Sequence, residues 1–344
     1  LTATARHDCS PSMKDRVSYS TMNTSSVVPN LLWYDRPADH WSEALPLGNG
    51  RLGAMLFGGS SREQVQFNEE SLWAGHPRDH TNSDALRHLP AVRDAVFAGD
   101  YTQADRLVKQ MQGPFTQSYL PFGDLHLEFE QGEPPEAYHR QLDLDTAVQR
   151  ITYRCGEVSY TREAFITAPA NVLVLRLTCT QRGGLTLRAR LASPLVSQVQ
   201  AEGDQLLLTG KAPQHADPQY RSSANPIVYG PEGMTCAARL ALRIDGGSLT
   251  ATDDTLLVTG ADEVVLFLCA ATSFNGFDRS PVTEGKDPLV QTAQTLAAAC
   301  LRSYDELMQE HLAEYQPLFR RVTLELGQAG SSHLPTDQRI AHFQ

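Results

Sequence analysis

Hydrophobic positions along the chain change their spacing several times, and each spacing predicts a different element. Leu52 to Phe57 is a short apolar run between Gly48-Asn49-Gly50 and Gly58-Gly59-Ser60, two triplets whose residues tolerate positive φ. The arrangement predicts a buried strand, with Gln64 to Phe67 returning antiparallel to it as a hairpin. Leu31 to Tyr34 reads as a short first strand, ended by Arg36-Pro37. From Leu125 onward the period is two: Leu125-Leu127-Phe129, Ile151-Tyr153, Val172-Val174, Leu185-Leu187, Leu206-Leu208, Leu240-Leu242-Ile244 and Val264-Leu266-Leu268 alternate with their neighbours. Turn signals such as Arg182-Gly183-Gly184 and Asp245-Gly246-Gly247 separate these runs. Many short strands so punctuated predict a mainly β fold, a large antiparallel β-sandwich.

Other stretches have helical spacing. Ser83 or Asp84 can cap a helix carrying Leu86, Leu89, Val92, Val96 and Phe97 on one face, and Gly99-Asp100 stops it. Tyr101 to Met111 reads as a second helix with Ala104, Leu107, Val108 and Met111 inward, so the pair forms a small insertion packed outside the sheets. Asp287-Pro288 opens a helix with Leu289, Ala293, Leu296, Ala297 and Cys300 at helical spacing, and Ser303 to Tyr315 continues as another. Val322-Leu324-Leu326 alternates like one last strand, and Leu334 to Phe343 begins a new helix. The expected organisation is a disordered segment over 1–29, a sandwich over 30–285, a helical linker with a final short strand over 286–327, and a second linker with the start of a further domain over 328–344. Lys211 to Pro231 breaks the β rhythm with Pro213, Pro218, Pro226 and Pro231. It reads either as a loop leaning over an active-site cleft or as a cover for a sheet edge.

Composition narrows the partners. The 344 residues are 41% hydrophobic and 20% charged, an ordinary globular balance with room for about two domains. A formal charge of -11 and a pI near 5.4 argue against nucleic acid and anionic membrane, because nothing offsets phosphate repulsion. A neutral sugar is compatible with that balance. The six cysteines are widely spaced, without a C-x-x-C pair or histidines at ligand spacing, so no metal is expected; Cys179, Cys236 and Cys269 read as buried free thiols. No apolar run approaches the ~18 residues of a membrane helix. Residues 1–29 lack the hydrophobic stretch of a secretory signal, which leaves the cytoplasm as the default compartment. The chain opens Leu1-Thr2-Ala3, so a clipped segment or a fragment of a longer reading frame is expected, with Met13 or Met22 as candidate starts.

Asn68, Glu69, Glu70 and Trp73 cluster where the hairpin opens onto a loop, the place where ligand contacts concentrate. Alternatively Asn68 and Glu70 cap a short helix and Trp73 fills a corner of the core. Glu69 and Glu70 cannot flank one bond, because adjacent residues diverge on a strand and on a helix. Asp253-Asp254 fails likewise, G-x-S-x-G is absent, and no glycine cluster fits a nucleotide-binding motif. No catalytic residue and no cofactor follow from the sequence.

E-A-L-P-L-G-N-G-R-L-G-A-M (Glu43 to Met55) followed by N-E-E-S-L-W-A-G (Asn68 to Gly75) resembles the opening of glycoside hydrolase family 95, the α-L-fucosidase family. The resemblance continues in order with G-D-Y-T-Q-A (Gly99 to Ala104), Y-L-P-F-G-D-L (Tyr119 to Leu125), G-K-A-P-Q-H (Gly210 to His215), A-T-S-F-N-G-F (Ala271 to Phe277) and Y-Q-P-L-F-R-R-V-T-L-E-L-G (Tyr315 to Gly327). It implies a β-super-sandwich followed by a helical linker and then an (α/α)6 barrel that carries the acid and base of an inverting hydrolase. None of those carboxylate positions matches a residue of this chain, so catalysis by this segment alone is not expected. The resemblance also implies a fucosylated glycan as partner and an intramolecular contact with the barrel. Sandwich loops near the sugar make Asn68, Glu69, Trp73, Gln117, Tyr119, Asp124 and His215 candidates for substrate contact or for orienting the barrel. Trp73 and Tyr119 suit stacking on a pyranose face, and Gln117 a hydroxyl. A non-catalytic carbohydrate-binding or assembly sandwich, and half of a related glycoside phosphorylase, stand as the alternatives.

Overall fold

Strands that alternate in polarity bury one face and wet the other, whereas strands covered on both sides are apolar throughout. Both kinds occur in the computed structural model, which describes residues 30–130, 134–218, 220, 223–324 and 333–343. In chain order the elements begin with β1 (Leu31–Tyr34), β2 (Leu45–Gly48), β3 (Leu52–Leu56) and β4 (Arg62–Glu69), then helices α1 (Ala85–Phe97) and α2 (Tyr101–Val108). Strands β5 (Gly123–Phe129), β6 (Glu136–Asp143), β7 (Val148–Cys155), β8 (Val158–Thr167), β9 (Val172–Cys179) and β10 (Leu185–Ala192) follow. Next come β11 (Val196–Glu202), β12 (Gln205–Lys211), β13 (His215–Ala216) and β14 (Ile227–Val228). The last strands are β15 (Thr235–Asp245), β16 (Ser248–Thr252), β17 (Thr255–Ala261) and β18 (Glu263–Thr272), and helices α3 (Pro288–Cys300), α4 (Tyr304–Phe319) and α5 (Thr336–Phe343) close the chain.

The strands make a nine-stranded sheet, β1-β6-β7-β8-β9-β18-β15-β12-β11, and a seven-stranded sheet, β16-β17-β10-β5-β4-β3-β2, with all neighbours antiparallel. Phe67, Leu125, Leu127 and Leu187 of the smaller sheet meet Leu175, Leu240, Leu266 and Leu268 of the larger one in a single core. The expected β3–β4 hairpin is present, with Ala54 opposite Phe67 and Gly58 at φ +81 in its turn. On the other face of the nine-stranded sheet, Phe165, Val174, Phe267 and Cys269 pack under Leu296 and Ala299 of α3 and Tyr304 and Leu307 of α4. That second layer explains why β18 is buried at every position after Glu263. Asp287 accepts from Leu289 and Val290 N–H to start α3, and Ser303 with Glu306 forms a capping box at α4. Helix α5 lies against β1, where Trp33 N–H donates to Thr336 Oγ1 (3.0 Å) and Arg339 donates to Leu31 O (3.1 Å). Among the described residues no helix is long and apolar enough to cross a membrane.

Several expectations are corrected. Helix α1 leaves much of its apolar stripe in solvent: Leu86 and Phe97 are exposed, and only Ala95 is buried. The helix packs chiefly on α2, so the periodicity marks an apolar face without a covering sheet. Val322 to Leu324 is irregular backbone with both apolar side chains in solvent, because no neighbouring strand is there to pair with it among the described residues; Leu326 lies outside them. Cys179 is only partly buried, at the end of β9, whereas Cys236 and Cys269 are buried as expected. Trp73 does not fill a core corner, being 46% exposed. The 211–231 loop carries a small ladder of its own, His215 opposite Val228 and Ala216 opposite Ile227. The expected disordered segment 1–29 lies outside the described residues.

Candidate functional site

The insertion that carries α1 and α2 leaves the seven-stranded sheet through a narrow neck. Ala74 N–H donates to Ser118 O (2.9 Å) and Leu120 N–H to Leu72 O (3.0 Å), which sets Trp73 opposite Tyr119 in an isolated antiparallel bridge. The two rings lie 5.2 Å apart, tilted by 48°, and both are nearly half exposed. Each is anchored at its polar tip: Trp73 Nε1 donates to Glu70 O (3.0 Å) and Tyr119 Oη to Glu69 O (3.2 Å). Burial raises the Tyr119 hydroxyl above its ordinary range, with Glu69 and Glu70 adding to the effect.

Beside this pair opens a cleft of about 700 Å³, within the size range of small-molecule sites. Trp73, Gly75 and Gln117 line one side, and Phe274, Phe277 and Arg279 line the other. Gln117 is held by both ends of its amide. Its Oε1 accepts from Ala216 N–H (3.0 Å), so its Nε2 is the donor that faces His215 Nδ1 at 3.4 Å. That assignment makes Nδ1 an acceptor and puts the ring proton on Nε2, which lies 3.2 Å from Asp217 Oδ1. His215 is thus consumed in orienting Gln117, and Gln117 is the residue that reaches the cleft.

The seven candidates fall into three groups. Trp73 and Gln117 line the cleft, with Tyr119 against Trp73 and His215 against Gln117. Asn68 and Asp124 do not join them. They share the outer face of the seven-stranded sheet with Gln64, whose Nε2 donates to Asp124 Oδ1 (2.9 Å). Glu69 points the opposite way, is 1% exposed, and contacts no open space. The wall from Phe274 to Arg279 escaped sequence reasoning even though A-T-S-F-N-G-F runs through it. Its position depends on β18 ending beside β4, which no local pattern encodes. Among the described residues no cluster of three or more His, Cys, Asp or Glu could hold a metal ion.

Gly75 shows how tightly the neck is built. Its φ is +98°, and a Cβ there would stand 2.5 Å from Gln117 Cγ. Gly75→Ala is expected to cost on the order of 1–3 kcal/mol, read from thermal or urea unfolding. The cost should shrink in a Gln117→Ala background, where the steric partner is gone; an equal cost in both backgrounds would assign it to backbone strain alone.

The fold is a two-sheet antiparallel sandwich with a helical layer on one face and a sugar-sized cleft at one end. The chain belongs to the family described as glycosyl hydrolase family 65, N-terminal domain, which matches residues 32–276, and residues 303–344 match the glycosyl hydrolase family 95 catalytic domain. It is 34% identical over 322 residues to Alpha-L-fucosidase 2 of Arabidopsis thaliana, a match covering 90% of this chain and 38% of that protein. Identity to the Probable alpha-fucosidase A of Aspergillus niger is 29% over 334 residues, covering 91% and 40%. The protein of the same name from Aspergillus oryzae is 26% identical over 319 residues, covering 88% and 42%. The chain therefore spans about two fifths of the length of these curated relatives. These matches bear out the resemblance to glycoside hydrolase family 95.

Proposed function

We propose that this chain is the N-terminal sandwich and helical connector of an inverting α-L-fucosidase-like glycoside hydrolase, and that its cleft contributes rim contacts to a fucosylated glycan. The domain division is a sandwich over 30–285, a connector over 286–327, and the start of a barrel domain from 328. The observation that carries the reading is the exposed Trp73–Tyr119 pair at the mouth of a cleft, in a chain whose curated relatives are fucosidases. Aromatic faces bind the apolar side of a pyranose, and Gln117 supplies an oriented amide for a hydroxyl. Inverting hydrolysis needs two carboxyl groups about 6.5–9.5 Å apart on opposite sides of the bond. We assign that pair to the longer protein rather than to these residues, and the barrel contact with it.

The test is an assay with an aryl α-L-fucoside. The 344-residue polypeptide should give no turnover, and a polypeptide of the relatives' full length should hydrolyse it with β-L-fucose as the first-formed anomer by proton NMR. Turnover by the pure 344-residue chain, or α-L-fucose as first product, would overturn the proposal.

A further inference from the structure

Between the two walls of the cleft runs a line of hydrogen bonds whose direction is fixed by chemistry. Glu69, at the end of β4, is buried to 1% exposure, and its Oε2 accepts from both Ser71 N–H (2.8 Å) and Ser71 Oγ (2.6 Å). Ser71 Oγ is the donor of that bond, so its single hydroxyl proton is committed to Glu69. Ser71 Oγ also lies 2.5 Å from Thr272 Oγ1, at the end of β18 in the other sheet. With the Ser71 proton already used, Thr272 must be the donor of that bond. Thr272 Oγ1 in turn accepts from Phe274 N–H (3.2 Å). Every proton therefore points one way, from Phe274 through Thr272 and Ser71 to Glu69. The other carboxylate oxygen, Oε1, has no hydrogen bond among the described residues and lies 3.5 Å from Arg51 Nη2.

We infer that Glu69 is a positioning residue that holds the two walls of the saccharide cleft in register while touching no ligand itself. The inference rests on the reading of the cleft given above. Ser71 and Trp73 belong to the wall that continues β4, and Phe274 and Phe277 to the wall that continues β18. The Ser71–Thr272 hydrogen bond joins these two strand ends directly. Burying a carboxylate is costly, and an apolar residue of similar volume would fill the same space. What an apolar residue lacks is a strong acceptor. Polarised chains of hydroxyls strengthen one another, so an acceptor at Glu69 stiffens the bond to Phe274 three residues along the line. A cleft whose aromatic faces are already spaced binds without first ordering them. The ligand class is a neutral oligosaccharide: Arg78 and Arg279 at the cleft are balanced by Glu70 and Asp278, so no net field favours an anion.

The experiment reads the relay and the ligand separately. With Trp33→Phe and Trp41→Phe in place, Trp73 is the remaining tryptophan of three, and its fluorescence reports a titration with a fucosylated trisaccharide. Glu69→Ala and Thr272→Val are each expected to weaken binding about tenfold, and the double variant no more than either alone, because both break one line. Glu69→Gln, whose amide oxygen still accepts from Ser71, should stay within about threefold of the parent. Amide exchange at Phe274 should speed up in Glu69→Ala although Glu69 ends β4 and Phe274 lies just past the end of β18. Unchanged exchange at Phe274 alongside a lowered melting temperature would make Glu69 a core residue only and overturn the inference, as would additive losses in the double variant. Absence of any saturable signal from the parent would instead defeat the saccharide reading, and the exchange measurement would still decide the relay.

Discussion

Arg162→Met is expected to lower the unfolding free energy by about 3–5 kcal/mol, read as a drop in the urea midpoint with an unchanged slope. Arg162 projects from β8 into the interior, where its Nη1 donates to Gly59 O (2.6 Å) and its Nη2 donates to Ser60 O (2.5 Å) and Tyr153 Oη (2.6 Å). Its guanidinium lies 3.8 Å from the Phe129 ring centroid and 3.4 Å from Glu63 Oε2. Glu63 Oε1 accepts from Gly58 N–H (2.7 Å), so a single cluster ties the β3–β4 turn to the nine-stranded sheet. Removing the arginine takes a charged donor away from two carbonyls and from the buried Glu63 carboxyl, which keeps the neutral Gly58 N–H. Adding Glu63→Gln to Arg162→Met should recover part of the loss, since the orphaned group is then neutral; a loss below about 1 kcal/mol for the single change would refute the account.

The same carboxyl gives a pH signature. Burial pushes Glu63 up to about 7 from an ordinary 4.5, against the opposing pull of Arg162 and the Gly58 N–H. A value raised in the folded state means that the folded chain binds the proton more tightly than the unfolded one. The stabilisation is therefore complete below 4.5 and is lost as pH rises through about 7. Relative to Glu63→Gln, the parent protein should lose stability across that window, at no more than about 1.4 kcal/mol per pH unit. A difference that grows in the opposite direction would show that the arginine outweighs the burial.

Phe165→Ala is the second large effect, again about 3–5 kcal/mol. Phe165 is fully buried on the outer face of the nine-stranded sheet, with the Tyr304 ring 5.6 Å away in a T-shaped contact and the His311 ring 5.0 Å away. These contacts seat α4, which is further fixed by bonds from the strand-connecting turn: His311 Nε2 to Thr146 O (2.8 Å) and Tyr315 Oη to Leu144 O (2.7 Å). A cavity at Phe165 should thus loosen the connector together with the sheet, visible as faster amide exchange along α4. Leu301→Ala serves as the control, because Leu301 is 89% exposed and its truncation should stay within about 0.5 kcal/mol.

Local pattern made much of the sandwich readable. The turn triplets around Leu52 to Phe57 and the alternation from Leu125 onward each bury side chains where a period of two says they should. Asp287-Pro288 and Ser303 announced their helices through capping chemistry that acts within four residues. What stayed hidden depends on contacts across the chain. Arg162 and Glu63 look like surface charges on their strands, and only the approach of the β3–β4 turn makes them interior. Helix α1 has an apolar face by spacing, yet spacing does not say what covers it. At the site, Trp73 and Tyr119 were identifiable as aromatics near a loop, but Glu69 and Asn68 sit on opposite faces because one residue along a strand reverses the side chain. The Phe274 wall lies about two hundred residues from Trp73 in irregular backbone with no period to read.

The position of β18 has a consequence for how the protein is made. It pairs with β9 on one side and β15 on the other, so both neighbours leave the ribosome before the strand that joins them. Until residue 263 and its successors emerge, those two strands offer unpaired edges to any passing chain. Translation pauses upstream of that point should lengthen the dependence of the newborn chain on chaperones, whereas pauses after it should be harmless.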